Sequence, residues 1–291
     1  MHDSGFDIVA PFKPTPSPYF MNCPHCHCTR TKKLQRTTDL GYTVFRCEGC
    51  DRTFNERTGT PFNFIEVPTD IVFQVLFYRA RYKLSYRDVT EMFLLRGFAF
   101  THETVRDWDE RFAPIFADQL RAKRKGKSGH KWYIDETYVK VKGQWCYLYR
   151  AMDQDGNPVD SRLSQQRDLA AAKAFFEQTR DVAESPESVV TDGLRSYPRA
   201  IAEVLGPEVE HEPVSCTANR IEQDHRGIKH RYYPTLGFHN FDAAQRFCRV
   251  VDEVRNFFRP RQWMGEVVSL VQRRAHFLQR VEELRGLFAP A

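Results

Sequence analysis

Three acids and a pair of cysteine knuckles are the residues whose types and surroundings allow chemistry. Asp135 interrupts Trp132-Tyr-Ile-Asp-Glu-Thr-Tyr-Val, a run otherwise aromatic and β-branched, and Asp192 closes Glu187-Ser-Val-Val-Thr-Asp-Gly. A carboxylate beside apolar strands needs a partner, and a cation is an obvious one. Glu222 lies in Asn219-Arg-Ile-Glu-Gln-Asp-His-Arg-Gly-Ile-Lys, just inside a helix that starts near Asn219. His225, Arg226 and Lys229 follow on roughly the same face. Two divalent ions about 4 Å apart, held by one shared and two flanking carboxylates, activate an attacking oxygen and stabilise a leaving one at a phosphodiester. Mg²⁺, or Mn²⁺ in its place, prefers such oxygen ligands, two ions per site. Arg226 or Lys229 would then hold a phosphate oxygen or steer a DNA strand. Taken singly, Asp192 also reads as a turn cap and Glu222 as the acid a helix N-terminus favours.

Five of the eight cysteines fall within residues 23 to 50. Cys23-Pro-His-Cys26 and Cys47-Glu-Gly-Cys50 are separated by twenty residues, a spacing that presents four thiolates to one tetrahedral, structural Zn²⁺. Cys28 competes with Cys26 only in a strained arrangement; the matched knuckles favour Cys23, Cys26, Cys47 and Cys50. Plain reduced thiols are the alternative, and a secreted disulfide framework fits less well because no signal peptide is visible. A module this small has little core, so metal binding would supply much of its folding energy. Tyr42, Val44 and Arg46 alternate against Thr43 and Phe45 as a ribbon strand would. Cys146, Cys216 and Cys248 read as unliganded.

The acids need a scaffold, and the sequence offers one. Lys131 to Lys142 and Gln144 to Ala151 read as two strands turning at Gly143; the turn Asp153-Gln-Asp-Gly-Asn-Pro precedes a third, Val159 to Leu163. Asp168 caps a helix, a short strand ends at Asp192-Gly193, and a helix over Tyr197 to Leu205 and a strand near Val209 follow. That order is mixed α/β and not repeating βαβ. On its strand Glu136 should face away from Asp135's side. Asp224 lies roughly 200° around the helix from Glu222, and Lys229 within roughly 20° of it.

Before this scaffold stand helical segments. Asp70 opens a short amphipathic helix; Ser85, with Asp88 as the third-position acid, caps a second that halts at Gly97. Thr101 starts a third, which should end or bend near Pro114. Two helices around a glycine turn are what a helix-turn-helix requires, with His102, Glu103, Arg106 and Asp107 outward and Val105 and Trp108 inward. A plain three-helix bundle gives the same pattern. From Arg121 to Lys131 six of eleven residues are Lys or Arg, including Lys123, Arg124 and Lys125. Such a run is a solvated linker or, beside a DNA-reading element, a phosphate contact. Phe241 to Phe258 and Trp263 to Leu284 read as amphipathic helices.

The remaining composition sets bounds. The chain has 291 residues, 43 Lys and Arg against 38 Asp and Glu, and a net charge of +5, which by itself is a weak signal. Its 23 Phe, 12 Tyr and 4 Trp supply a substantial core and argue against disorder over most of the length. No stretch approaches a membrane span.

Residues 131 to 260 resemble the catalytic domain of bacterial insertion-sequence transposases of the Asp-Asp-Glu type, in the retroviral-integrase-like group, and most nearly the group-six insertion-sequence transposases. The stretches that carry this are Trp132-Tyr-Ile-Asp-Glu-Thr-Tyr-Val-Lys-Val-Lys-Gly, Trp145-Cys-Tyr-Leu-Tyr-Arg-Ala-Met-Asp and Asn219-Arg-Ile-Glu-Gln-Asp-His-Arg-Gly-Ile-Lys. Leu84 to Trp108 also looks like the family's helix-turn-helix. The resemblance implies a ribonuclease-H-like mixed sheet, with Asp135, Asp192 and Glu222 as the catalytic acids and Lys229 as the basic residue seven positions on. It further implies binding of terminal inverted repeats and target DNA, strand transfer of 3′ hydroxyl ends, and a homodimer or larger homo-oligomer. Nucleoid-associated activity in a bacterial or archaeal cytoplasm follows. The double-CxxC module is additional to most members.

The expected division is a zinc-ribbon-like module over 1–62, a helix-turn-helix over 63–120, a basic linker over 121–130, the catalytic domain over 131–260 and a C-terminal helix over 261–291. Two other functions fit the same residues: a ribonuclease-H-like nuclease without strand transfer, and a DNA-binding repressor with a dead catalytic domain. Retention of all three acids argues against the repressor.

Overall fold

The structure is a computed structural model that describes residues 21–123, 128–214, 219–233, 237–260 and 267–287. The chain divides into two compact units, residues 1–75 with 281–291 and residues 76–280. Each is described by itself.

The first unit holds an antiparallel sheet, β1 (Thr31–Thr37), β2 (Thr43–Cys47) and β3 (Thr53–Asn55), in the order β1-β2-β3. Its core is Cys23, Phe45, Cys47 and Phe54, with Phe45 stacked on Phe54. That is too little apolar surface to fold a unit unaided. The alternation expected from Tyr42 to Arg46 fails: Thr43, Val44 and Phe45 are all buried. Thr43 is taken inward because its N–H donates to the buried carboxylate of Glu56.

In the second unit α2 (Tyr86–Leu94) begins with the Ser85–Asp88 capping box, and α3 (His102–Ala122) begins at Thr101; both follow α1 (Thr69–Arg81), which runs across the division. Gly97, at φ +85°, makes the turn between α2 and α3. Of the two outcomes expected at Pro114, an end to the helix does not occur: α3 continues to Ala122. Ala113, Phe116, Ala117 and Leu120 continue the buried stripe past it, and that stripe packs against α7, so tertiary burial overrides one lost N–H.

The sheet of this unit is β4 (Lys131–Val141), β5 (Gln144–Asp153), β6 (Pro158–Ser164), β7 (Ser188–Thr191) and β8 (Glu210–Pro213), in the order β6-β5-β4-β7-β8. The first three strands are antiparallel; β7 runs parallel to β4 and β8 parallel to β7. Lys142 and Gly143, both at positive φ, form the two-residue hairpin turn. Asp153 fixes the next turn by accepting from the N–H groups of Asp155 and Asn157. Helices α4 (Leu169–Arg180) and α5 (Tyr197–Val204) cover one face, burying Trp132, Ile134, Tyr149 and Ala151. Helices α6 (Asn219–Tyr232) and α7 (Phe241–Phe258) cover the other, burying Val139, Val141, Cys146 and Leu148. Three antiparallel strands followed by two parallel ones on the far side of the first, with helices on both faces, form the ribonuclease-H-like mixed sheet. A last helix, α8, spans Leu270–Leu287. No described helix is long and apolar enough to cross a membrane.

Candidate active site and metal centres

The four knuckle cysteines converge. Cys23, Cys26, Cys47 and Cys50 can each offer a sulfur such that all four lie within 4.8 Å of one another. The two knuckles are built alike. The residue after each second cysteine is left-handed, His27 at φ 59° and Asp51 at φ 58°, and donates its N–H to the carbonyl of the first cysteine. The first cysteine's own N–H is held by the carbonyl of the residue five positions on, Cys28 or Arg52. Burial opposes a Cys47 thiolate, but the N–H groups of Cys50 and Gly49 outweigh it and bring the thiol down to about 6. Four convergent sulfurs on rigid knuckles fit one tetrahedral zinc and leave no open position. Cys28 lies outside the set, Cys146 and Cys248 are buried in the second unit, and Cys216 lies outside the described residues.

The acids converge through the sheet. β7 pairs with β4 only as far as Tyr133↔Val190, so Asp135 lies just beyond that pairing, toward the end of β7 where Asp192 follows. Asp135 belongs to two groups whose ligand atoms lie within 4.8 Å of one another, one with Glu136 and Asp192, the other with Glu222 and His225. One Asp192 oxygen caps its own turn, accepting from Leu194 N–H at 3.1 Å, while the other accepts from Arg167 Nη2 at 2.8 Å. The turn-cap reading and the site reading are therefore both true of this residue. Glu222 is exposed, on the first turn of α6.

What fixes α6 is a buried charge network. Arg150, directly across from Asp135 on β5, donates to Asp224 at 2.8 Å and to Asp252 at 2.8 Å. Arg255 adds a further bond to Asp224 at 2.6 Å. Burial opposes the Asp224 charge, but Arg150, Arg255 and Arg259 override it and hold the carboxyl at about 2. Asp224 thus faces the sheet, away from Glu222 as its helical angle requires, and clamps the helix. His225 is 1% exposed, with Nε2 unpartnered and Nδ1 4.0 Å from Glu222. Burial and the nearby Arg150 bring it down to about 3, leaving a neutral imidazole.

Two side chains near the acids carry no sequence signal. Glu136 does face the other side of the sheet, but it is not remote. Where β7 stops the two faces meet, and its carboxylate joins the Asp135–Asp192 group. Its side chain is 2% exposed and pairs with Arg167 at 3.4 Å, so Arg167 bridges Glu136 and Asp192. Burial pushes the Glu136 carboxyl up, against the pull of Arg167. Arg167 sits between β6 and α4, and only the tertiary fold brings it here.

A DDE-domain family model matches residues 129–261. The transposase for insertion sequence-like element IS431mec of Staphylococcus aureus is 40% identical over 174 residues, covering 58% of this chain and 77% of that relative. The chain belongs to the insertion-sequence transposases of the Asp-Asp-Glu type. The Staphylococcus aureus transposase for IS257 in transposon Tn4003 matches with the same identity and coverage. A solved structure, the HTLV-2 integrase catalytic core domain with magnesium, is 15% identical at a TM-score of 0.36, over 49% of this chain and 94% of that one.

The transposase's candidate DNA contacts are spread more widely. His102 and Arg106 lie on the outer side of α3, and both engage Glu103, at 3.1 and 2.6 Å, while Val105 and Trp108 are buried. The basic run is not one continuous linker. Arg121 belongs to the last turn of α3 and is half-buried, paired with Asp160 at 2.7 Å and Glu253 at 3.5 Å. Lys131 opens β4 and pairs with Glu212. Lys123 is exposed as the C-cap of α3; Arg124 and Lys125 lie outside the described residues. On α6 Arg226 is exposed and Lys229 half-buried near His225.

Proposed function

We propose that this transposase binds the terminal inverted repeats of an insertion sequence and transfers their 3′ hydroxyl ends to target DNA, using Asp135, Asp192 and Glu222. The observation that carries the reading is the membership of Asp135 in both ligand groups, one with Asp192 and the other with Glu222. A shared acid flanked by two others suits two divalent ions, Mg²⁺ or Mn²⁺, which when bound supply charge to activate the attacking oxygen and to neutralise the leaving one. The protein's part is placement. Arg167 donates to Asp192, and the Arg150–Asp224 clamp ties α6 to β5, with a Glu222 oxygen within 4.8 Å of a carboxylate oxygen of Asp135. Neutral His225 adds no charge to the Glu222 side and offers a further nitrogen there. Arg226 and Lys229 supply positive charge one and two turns along the same helix, suited to phosphate oxygens.

Residues 1–62 are read as a module that holds one Zn²⁺ per chain. Residues 63–120 are read as the DNA-reading element, 131–260 as the catalytic domain and 261–291 as the C-terminal helix; of the basic segment 121–130 expected between the first two, Arg121 and Ala122 belong to α3. Bringing two element ends together calls for at least a homodimer acting in the cytoplasm on nucleoid DNA.

The test is a strand-transfer assay with repeat-end duplexes and Mg²⁺, comparing the wild type with Asp135→Asn, Asp192→Asn and Glu222→Gln. Cleavage without joining would mark a nuclease. Tight end binding with no chemistry in the wild type would mark a repressor.

A further inference from the structure

The α4/α5 layer covers only part of its face of the sheet. It buries Trp132, Ile134, Tyr149 and Ala151, with Tyr147 half-buried at its edge, and beyond them the same face continues along the β4–β5 hairpin as Tyr138, Lys140 and Trp145. Tyr138 is 48% exposed and Trp145 56%. The hairpin is packed on its other side, where Val139, Val141, Cys146 and Leu148 are buried against α6 and α7. Its outer face is therefore a firm surface, and it is aromatic. The Tyr138 ring lies 6.1 Å from Trp145 and 5.6 Å from Tyr147, and Lys140 Nζ lies 5.8 Å from the Trp145 ring. Single exposed apolar residues are ordinary, but three adjoining rings form a patch that marks binding.

Its position and charge say what binds. Tyr138 lies two residues beyond Glu136 on the same face of β4, about 7 Å along the strand, and Glu136 belongs to the Asp135–Asp192 group. Arg167 pairs with both Glu136 and Asp192, so the patch begins where the candidate acids end. Between Thr137 and Tyr149 stand Lys140 and Lys142 and no acid. Rings interleaved with cations suit nucleic acid, in which bases stack and phosphates pair. In a duplex the faces of the bases are already stacked on one another, so rings can take up only unpaired nucleotides. A second copy of the chain suits the patch less well: in a two-fold contact the surface meets itself, bringing lysines toward lysines.

We propose that Tyr138, Trp145 and Tyr147 form a stacking platform for unpaired DNA nucleotides next to the reacting phosphodiester. The proposal rests on the transposase reading for the identity of the strand, but its binding test is independent of catalysis. Full-length, zinc-loaded protein is titrated by fluorescence anisotropy with a short labelled oligo(dT) and with a blunt duplex of equal length, at fixed salt and without Mg²⁺. The Tyr138→Ala/Trp145→Ala double variant is expected to bind oligo(dT) about tenfold or more weakly, with duplex affinity changed less than about twofold. Trp145→Phe should keep most of the oligo(dT) affinity, since a ring remains.

Unchanged oligo(dT) affinity in the double variant would overturn the platform, as would an equal loss for both probes. If light scattering showed the double variant falling from dimer to monomer, with oligo(dT) affinity unchanged, the face would belong to a protein interface and the proposal would fail. Circular dichroism and thermal melts verify that the variant is folded; should it not fold, Trp145→Phe and Tyr138→Phe/Trp145→Gln carry the same comparison. A wild type inactive in strand transfer yet binding oligo(dT) through these rings would remove the transposase reading and leave the platform standing.

Discussion

The four cysteines and the three candidate acids differ in how far the chain must travel to assemble them. Each cysteine knuckle is closed within a few residues by its own backbone hydrogen bonds, and the two are copies of one design. The acids come from β4, the end of β7 and the start of α6, and what holds them lies elsewhere still: Arg167 after β6, Arg150 on β5, Arg255 on α7. In the first unit the ligands and the metal they suit take the place of a core; in the second a large core exists first and the ligands sit on it. Metal should therefore decide folding in one unit and only chemistry in the other.

The largest effect expected from that contrast is on the cysteine unit. Stripping zinc, or Cys47→Ser, should abolish the ordered fold of residues 21–67 while residues 76–260 keep theirs. Metal analysis together with residue-resolved hydrogen exchange measures both; zinc-free protein with full protection across β1 to β3 would break the comparison. Next comes the acid unit. Asp135→Asn, Asp192→Asn or Glu222→Gln should each lower cleavage and strand transfer by about a thousandfold or more, about 4 kcal/mol of barrier, with the thermal melt nearly unchanged. If the variants instead fail to fold, the acids are structural.

What could be read in advance follows the same divide. Paired CxxC spacing, the β4–β5 hairpin, the Asp168 cap and the register of α6 are local patterns, and each is visible in a few consecutive residues. At Pro114 a local rule allows the helix to end, yet the buried stripe from Ala113 to Leu120 packs against α7 and the helix continues. Arg121 misleads for a similar reason: in a string of lysines it reads as solvated, yet Asp160 and Glu253, far along the chain, pair with it. Glu136 alternates away from Asp135 as a strand demands. Its nearness to Asp192 depends on where β7 stops, which no periodicity encodes. Arg167 and the Asp224 clamp are likewise products of the tertiary fold.

That clamp gives the third expectation. Asp224 faces away from Glu222, yet Asp224→Asn would leave Arg150 and Arg255 short of a buried partner, at a cost of about 3 kcal/mol or more. Asp224 is thus a poor silent control. Denaturant unfolding in chelator, so that no divalent ion contributes, measures the loss; a change below about 1 kcal/mol would mean that the network is dispensable. The same group sets a pH dependence. Its folded value, about 2, lies below the ordinary aspartate value of about 3.9, so its stabilisation is complete above pH ~4 and is lost as pH falls through about 2. The loss amounts to roughly 2–3 kcal/mol. The Asp224→Asn profile should be flatter by that amount across the window.

The smallest effects concern α3, where contacts are exposed and mutually satisfied. Arg106 and His102 both lean on Glu103, so either must leave that acid before it can reach a base. Exposed pairs of this kind are worth about 0.2–1 kcal/mol, which makes the release cheap. Glu103→Gln should therefore strengthen binding to repeat-end duplex by no more than about threefold, through release of both side chains and loss of one repelling charge. Arg106→Ala should weaken repeat-end binding more than binding to a scrambled duplex, because base contacts specify. Lys123→Ala should weaken the two equally and lower the slope of log affinity against log salt by about one unit, since a phosphate contact releases one counterion. Titrations of both duplexes across a salt series distinguish these. An Arg106→Ala variant that loses both affinities alike, with Lys123→Ala selective, would move base reading off α3 and toward the basic run.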